Sequence, residues 1–94
     1  MAITVKFVGS LRHFSGLGDL QLGYNRCVSV GELVNELVKE LPALGRSLVD
    51  RQLEDPRPNA LILVNGKEIG VLDGLETKLK DEDEIVIVPV VHGG

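Results

Sequence analysis

The last five residues of the chain, Val90-Val91-His92-Gly93-Gly94, include the group best suited to chemistry, the α-carboxylate of Gly94. Glycine has no Cβ, so a narrow channel in a partner protein could close around Gly93 and Gly94 and recognise their backbone by hydrogen bonds alone. The carboxylate itself is inert, because hydroxide is a poor leaving group. Adenylation by ATP would convert it into an acyl-adenylate, which a sulfur nucleophile or an amine can attack. The pattern therefore predicts a C-terminus that reacts once it is activated.

The residues before the two glycines predict a tail that leaves the folded domain. Pro89 has no N–H to donate to a sheet, so we expect regular pairing to fail there and residues 90–94 to form a flexible tail. No charged side chain occurs between Ile85 and Gly94, which makes the tail slim and neutral. A disordered and chemically idle terminus is the alternative, although frayed termini are usually more polar than Val90-Val91.

The other residues with potentially reactive side chains lie far apart in the sequence. Cys27 is the only cysteine, which excludes an intrachain disulfide and the four-cysteine cluster of a ferredoxin. We expect a buried or half-buried thiol there, because an apolar valine follows it at a strand end, and an inert one, because no base lies close to it in sequence. His92 could act as a base beside the carboxylate, but it has no fixed partner, and His13 is far from it along the chain. We therefore predict no catalytic residue and no metal site.

Charge and composition restrict the classes of partner. The 94 residues suffice for one domain, and with 44% hydrophobic but only 3% aromatic residues its core must be aliphatic. The net charge of −4 argues against direct binding to nucleic acid and to anionic membrane surfaces. The opening MAITVKFVGS has neither a basic leader nor a long apolar stretch. We expect a cytoplasmic protein with no bound cofactor and no membrane attachment.

The elements that carry the tail follow from the periodicity of the sequence. ITVKFVG alternates as a strand, and LQLGYNRCVSV is predicted to pair back on it as a hairpin. SVGELVNELVKELP predicts an amphipathic helix that begins with a capping box of Ser29 and Glu32 and ends at Pro42. ALILVNGKEIG is a strand, a turn at Asn65-Gly66 and a short return strand, and EIVIVP is the last strand. Residues 43–59 could add a short second helix.

This order predicts a single α+β domain, residues 1–94, of the β-grasp type. The first and last strands are rich in valine and isoleucine, so we expect them to pair in the middle of a mixed sheet of about five strands, with the main helix packed across it. A turn or 3₁₀ segment is predicted around Leu75 and Leu79. The acidic run Asp81–Glu84 that follows is either a solvated turn or a group of charges that steers a basic partner.

The last strand is apolar on both of its faces, and residues 61–64 show the same pattern. A strand with one wet face should alternate apolar and polar residues instead. Either residues 43–59 cover the outer face of the sheet, or an apolar patch stays exposed and docks another protein. The residues proposed for this docking patch are Ile62, Val64, Val86 and Val88.

With these features in view, nearly the whole chain resembles the small β-grasp sulfur carriers of the MoaD and ThiS families and the ubiquitin-related modifiers. The resemblance is carried by VKFVGSLRHFSG, the capped helix, LILVNGKEI, LKDEDEIVIVPVV and the terminal Gly93-Gly94. It implies that an adenylyltransferase of the ubiquitin-activating type, similar to MoeB, uses ATP to activate Gly94, and that sulfur transfer then gives a C-terminal thiocarboxylate. The segment from Pro89 to Gly93 would be threaded into the partner.

The resemblance leaves the destination of the sulfur open. It implies donation to a molybdopterin precursor in complex with a MoaE-like subunit, donation to a tRNA wobble uridine through a thiolation enzyme, or conjugation to lysines of target proteins. His92 stands where MoaD proteins usually have serine or threonine, which favours the ubiquitin-related modifiers. The long segment 43–59 makes a role in thiamine synthesis the least favoured. A β-grasp interaction module with an idle C-terminus is the alternative from another class.

Overall fold

The computed structural model describes residues 1–9, 11–12, 19–42 and 60–89. The proposed second helix at 43–59 lies outside these residues. Two 3₁₀ turns, Ile69–Val71 and Gly74–Glu76, follow the fourth strand, and the second of them matches the segment predicted around Leu75. The strands and the helix are β1 (Ala2–Phe7), β2 (Leu20–Gly23), α1 (Val30–Glu40), β3 (Ala60–Val64), β4 (Lys67–Glu68) and β5 (Glu84–Pro89).

The five strands form one mixed sheet in the order β2-β1-β5-β3-β4. As predicted, the first and last strands pair at its centre, and they run parallel, with Thr4 opposite Glu84 and Phe7 opposite Ile87. β5 also pairs antiparallel with β3 along its other edge. The predicted β-grasp class, a mixed sheet with one main helix, is confirmed.

The second strand is shorter than the eleven-residue segment LQLGYNRCVSV that was predicted to form it, because β2 ends at Gly23. The end of that segment has other partners. The carbonyl of Val28 accepts a hydrogen bond from Leu79 N at 2.9 Å, and Ser29 forms an isolated bridge with Lys78. Residues 28 and 29 thus connect the sheet to the segment before β5 and prepare the start of the helix.

The helix begins with the predicted capping box. Ser29 Oγ accepts from Glu32 N at 3.2 Å, and Glu32 Oε1 accepts from Ser29 N at 3.1 Å. The two side chains satisfy backbone donors that the first turn leaves unpaired, and such a cap contributes about 1 kcal/mol. Leu41 is the C-cap, and Pro42 follows it, in agreement with the predicted end. The helix buries Val30, Leu33, Val34 and Leu37 against the sheet.

The core lies between α1 and one face of the sheet. Alternate residues of the central strands point into it, because successive side chains of a strand face opposite sides. Each of these residues is at most 6% exposed. They are Ile3, Val5 and Phe7 of β1, Ile62 and Val64 of β3, and Ile85 and Ile87 of β5. The aliphatic core predicted from the composition is confirmed.

Candidate functional site

The candidate site starts at the C-terminal end of β5, from which the tail continues. The residues predicted to react or to be threaded, Val90, Val91, His92, Gly93 and Gly94, lie outside the described part of the chain. Pro89 lies inside it. The expectation that pairing fails at Pro89 is wrong, since Pro89 is the last residue of β5 and stands in register with Ala60. A proline at a strand end removes only one ladder donor, which the sheet tolerates.

Pro89 is also in contact with the end of β1. Val8 N donates to Ile87 O at 3.2 Å, so the pairing between the two central strands continues just past Phe7. Gly9 follows with φ +60, and a Cβ added to it would lie 3.1 Å from Pro89 Cγ. The last described residue of β5 is thus held between the end of β1 and the start of β3.

An apolar strip runs along β3 and β5 on the face of the sheet opposite the helix, and we call Leu61, Leu63, Val86 and Val88 the outer strip. Leu61 stands opposite Val88 and Leu63 opposite Val86 in the antiparallel pairing. Leu61 is 39% exposed and the other three side chains are half-buried. Half of the strip lies on β5, the strand that carries the tail, and Val88 directly precedes Pro89.

The structure corrects half of the predicted docking patch. Val86 and Val88 lie on the outer face as predicted, but Ile62 and Val64 are 1% and 6% exposed and belong to the core. The reason is the pairing register, which places Ile62 opposite Ile87 and Val64 opposite Ile85. Residues opposite each other in a sheet point to the same side, so both follow the buried isoleucines. Leu61 and Leu63, which were not predicted to belong to the patch, take their places.

A charged cluster borders the outer strip on the β1 side. Lys6 Nζ lies 3.2 Å from Glu84 Oε2 and 3.8 Å from Asp19 Oδ2, and Lys6 stands opposite Val86 in the parallel pairing. The hydrogen bond to Glu84, with the charges of Glu84 and Asp19, raises the pKa of Lys6. A partner that covers the strip therefore meets an ammonium group that is already paired with carboxylates.

The acidic run before β5 is a structured turn. Asp81 Oδ1 accepts from Ala2 N at 2.7 Å, and Glu82 N donates to Ala2 O at 2.8 Å. Asp83 Oδ2 accepts from Lys80 N at 2.7 Å. Asp81 and Glu82 are exposed to solvent, as the predicted solvated turn requires, but their backbone and side chains also hold the start of β1. This anchoring fixes where β5 begins.

Two other expectations concern isolated residues. Cys27 is exposed, so the prediction of a buried or half-buried thiol is wrong. Its neighbour Val28 is the residue that packs into the core, at 0% exposure. Within the described ranges, no group of three His, Cys, Asp or Glu side chains could hold a metal ion. In the same part of the chain, no helix has the length and apolar character needed to span a bilayer.

Comparison with known sequences gives a family match and close relatives. The profile of the ThiS family matches residues 5–94. The chain is 30% identical to small archaeal modifier protein 3 from Haloferax volcanii and 31% identical to a putative sulfur carrier protein from Archaeoglobus fulgidus. Both alignments cover the whole of this chain and the whole of the relative.

Solved structures similar to this one include a small archaeal modifier protein, Urm1 and a chain from a molybdopterin-converting factor. Small archaeal modifier protein 1 from Methanosarcina acetivorans superposes with a TM-score of 0.81 at 35% identity, over 99% of this chain and 96% of that one. Urm1 from Trypanosoma brucei gives a TM-score of 0.77 at 29% identity, over 99% and 95%. A chain in the complex of subunits 1 and 2 of the molybdopterin-converting factor from Helicobacter pylori gives 0.63 at 26% identity, over the full length of both.

Proposed function

Because the chain belongs to the ThiS family, we propose that it is a sulfur carrier related to the ubiquitin-like modifiers, with the C-terminal carboxylate of Gly94 as its reactive group. One observation carries the proposal. The family match runs through Gly94 itself, and relatives described as a modifier and as a sulfur carrier align with this chain from end to end. The family consists of small carrier proteins, so we propose a co-substrate and not a catalyst.

The proposed chemistry begins with activation by ATP. A carboxylate oxygen of Gly94 attacks the α-phosphorus of ATP, and pyrophosphate leaves, on an adenylyltransferase of the ubiquitin-activating type that is similar to MoeB. A hydrosulfide equivalent then attacks the carbonyl carbon and displaces AMP, which gives the thiocarboxylate. Gly93 and Gly94 suit this role because a partner can enclose their backbone closely. This chain contributes the acyl group and its delivery, while the partner supplies the catalytic residues.

Docking by the outer strip would bring the tail to the partner. The strip and the tail share β5, so a protein that covers Leu61 and Val88 lies next to the point where the chain continues beyond Pro89. Half-buried aliphatic side chains lose apolar surface to the partner, which favours association. The complex of the Helicobacter pylori subunits supports assembly of this kind, since a chain of similar fold takes part in it.

The sulfur would go to one of two acceptors. A MoaE-like subunit that converts a molybdopterin precursor is supported by the Helicobacter pylori chain. A tRNA-thiolation enzyme is the acceptor that the resemblance to the ubiquitin-related modifiers implies. The similarity to Urm1 and the presence of His92 favour this group of relatives. Conjugation of the activated carboxyl to lysines of target proteins uses the same acyl-adenylate with an amine as the nucleophile, and is supported by the archaeal modifier relative.

Intact-mass spectrometry tests the proposal. The purified chain is incubated with a MoeB-like adenylyltransferase, ATP and a sulfide source, and should gain the mass difference between sulfur and oxygen. A variant that lacks Gly94 and a variant with one residue added after it should gain nothing. Unchanged mass of the natural chain under conditions that thiolate the archaeal modifier would support the alternative, an interaction module with an idle C-terminus.

A further inference from the structure

We propose that Gly9 is a positioning residue, whose lack of a side chain lets Pro89 lie against the end of β1 and thereby sets the direction in which the tail leaves the sheet. The inference rests on the proposed function, because this direction matters for activity only if a partner takes up the tail. It adds a residue far from Gly94 in sequence to those that control the reaction.

The contact between the two residues leaves no room for a methyl group. A Cβ on Gly9 would lie 3.1 Å from Cγ and 3.5 Å from Cδ of Pro89. The shorter distance is below the usual separation of two carbon atoms in contact, about 3.5–4.0 Å. With a side chain at position 9, one of the two groups has to move by a few tenths of an ångström.

Pro89 cannot absorb this movement by rotating its own backbone. Its ring restricts φ to about −65°. Across the sheet it stands in register with Ala60, which is 1% exposed. Two residues earlier in β5, Ile87 O accepts a hydrogen bond from Val8 N at 3.2 Å, which ties the strand to the end of β1. The part of the displacement that a change of ring pucker does not absorb is therefore passed to the residues that follow Pro89.

Such a displacement reaches the carboxylate of Gly94 if the partner binds the tail in a nearly extended conformation. Five residues span at most roughly 17 Å when fully extended. A carboxylate that must reach a catalytic centre through a channel requires a nearly extended tail, so an altered start of the tail shifts its tip. Misplacing a reacting group by about 1 Å can cost roughly a hundredfold in rate, and we expect roughly three- to tenfold for the smaller shift here.

Gly66 provides a matched control. It has φ +85, so an alanine there is strained in the same way as at Gly9, but no atom lies within 4 Å of the position that its Cβ would take. It lies two residues after Val64, which pairs with Ile85, and so lies at the opposite end of β5 from Pro89. Gly66→Ala separates the effect of backbone strain from the effect of the contact with Pro89.

The experiment compares wild type, Gly9→Ala, Gly66→Ala and the double variant Gly9→Ala/Pro89→Ala in sulfur incorporation by the activating enzyme. We expect kcat of Gly9→Ala to be roughly three- to tenfold below that of Gly66→Ala, with KM changed by less than about twofold. Removing the proline ring in the double variant should recover most of the lost kcat. Pro89→Ala alone is measured as well, because it completes the double-mutant cycle and allows the recovered rate to be assigned to the contact between positions 9 and 89.

Equal rates for Gly9→Ala and Gly66→Ala, or a loss that Pro89→Ala does not reduce, would overturn the inference. If wild type and Gly66→Ala incorporate no sulfur either, the proposed function itself fails and the positioning role falls with it. Should Gly9→Ala fail to fold, Gly9→Asn replaces it, because asparagine adopts positive φ more readily than alanine and carries the same Cβ.

A measurement without the enzyme tests the geometry separately. In ¹H–¹⁵N spectra, Gly9→Ala should shift the amide signals of Val90 and Val91, and Gly66→Ala should leave them unchanged. Unshifted Val90 and Val91 signals in a folded Gly9→Ala variant would contradict the proposed contact, whatever the kinetic result.

Discussion

Asn65 Nδ2 donates to Asp83 Oδ1 at 2.8 Å, which joins the β3–β4 turn to the acidic turn before β5. The same side chain accepts from Glu84 N at 2.9 Å through Oδ1. The turn residues Asn65 and Gly66 have φ of 50° and 85°, as the Asn-Gly pair predicts for a tight hairpin. The start of the strand that carries the tail is therefore fixed by side-chain hydrogen bonds, and its end lies beside Gly9 and Ala60.

We predict that Asn65→Asp destabilises the fold by about 1 kcal/mol at neutral pH, because the donor to Asp83 is lost and two carboxylates face each other. Urea denaturation measures the change in the free energy of unfolding. The double variant Asn65→Asp/Asp83→Asn should regain most of it, since the amide and the carboxylate exchange places. A double variant no more stable than Asn65→Asp would show that this contact does not hold the turn.

A second prediction concerns the pH dependence of the helix start. Glu32 accepts a hydrogen bond from Arg26 at 2.7 Å and another from Ser29 N, and these two bonds, the arginine first, hold the pKa of Glu32 below its ordinary value of 4.5. The pKa is lower in the folded state than in the unfolded state. The carboxylate therefore stabilises the fold above about pH 4.5, and this stability is lost as the pH falls through the lowered pKa.

The predicted pH dependence is tested by comparing wild type with Glu32→Gln, which keeps the shape of the capping box but does not titrate. Between about pH 5 and about pH 3, wild type should lose more of its free energy of unfolding than Glu32→Gln, by a small margin because the group is exposed and screened by solvent. Parallel stability curves for the two proteins would show that the bonds to Arg26 and Ser29 do not depend on the charge of Glu32.

A third prediction addresses docking by the outer strip. Leu61→Thr removes apolar surface from the strip but keeps a residue that favours strands, so stability should change by less than about 0.5 kcal/mol. If Leu61 is a central contact, KM for the carrier in the adenylation reaction should rise roughly tenfold. The control is Val71→Thr, because Val71 is 76% exposed and lies outside the strip. Equal KM values for the two variants would contradict docking through the outer strip.

Most elements of the fold could be predicted from local signals in the sequence. The capping box, the stripe of apolar residues on α1 and the Asn-Gly turn each depend on a few neighbouring residues, and the structure confirms all three. The central pairing of β1 with β5 was predicted from their valine and isoleucine content, which is typical of strands in the middle of a sheet.

The orientation of β3 could not be read from its own residues. ALILV is apolar at every position, so its alternation does not say which side is buried, and a register that differs by one residue exchanges the two faces. That is why Ile62 and Val64 were placed in the docking patch although they lie in the core. The burial of Val28 next to an exposed Cys27 likewise depends on a hydrogen bond to Leu79, which is distant in sequence.

Tandem mass spectrometry that localises the incorporated sulfur shows whether the carboxylate of Gly94 is the reactive group. After incubation with the activating enzyme, ATP and sulfide, we predict that one oxygen is replaced by sulfur within the C-terminal peptide that ends in Gly94, and that Cys27→Ser incorporates sulfur at the same rate as wild type. A C-terminal peptide of unchanged mass after this incubation, in wild type and in Cys27→Ser alike, would contradict a reactive carboxylate at Gly94.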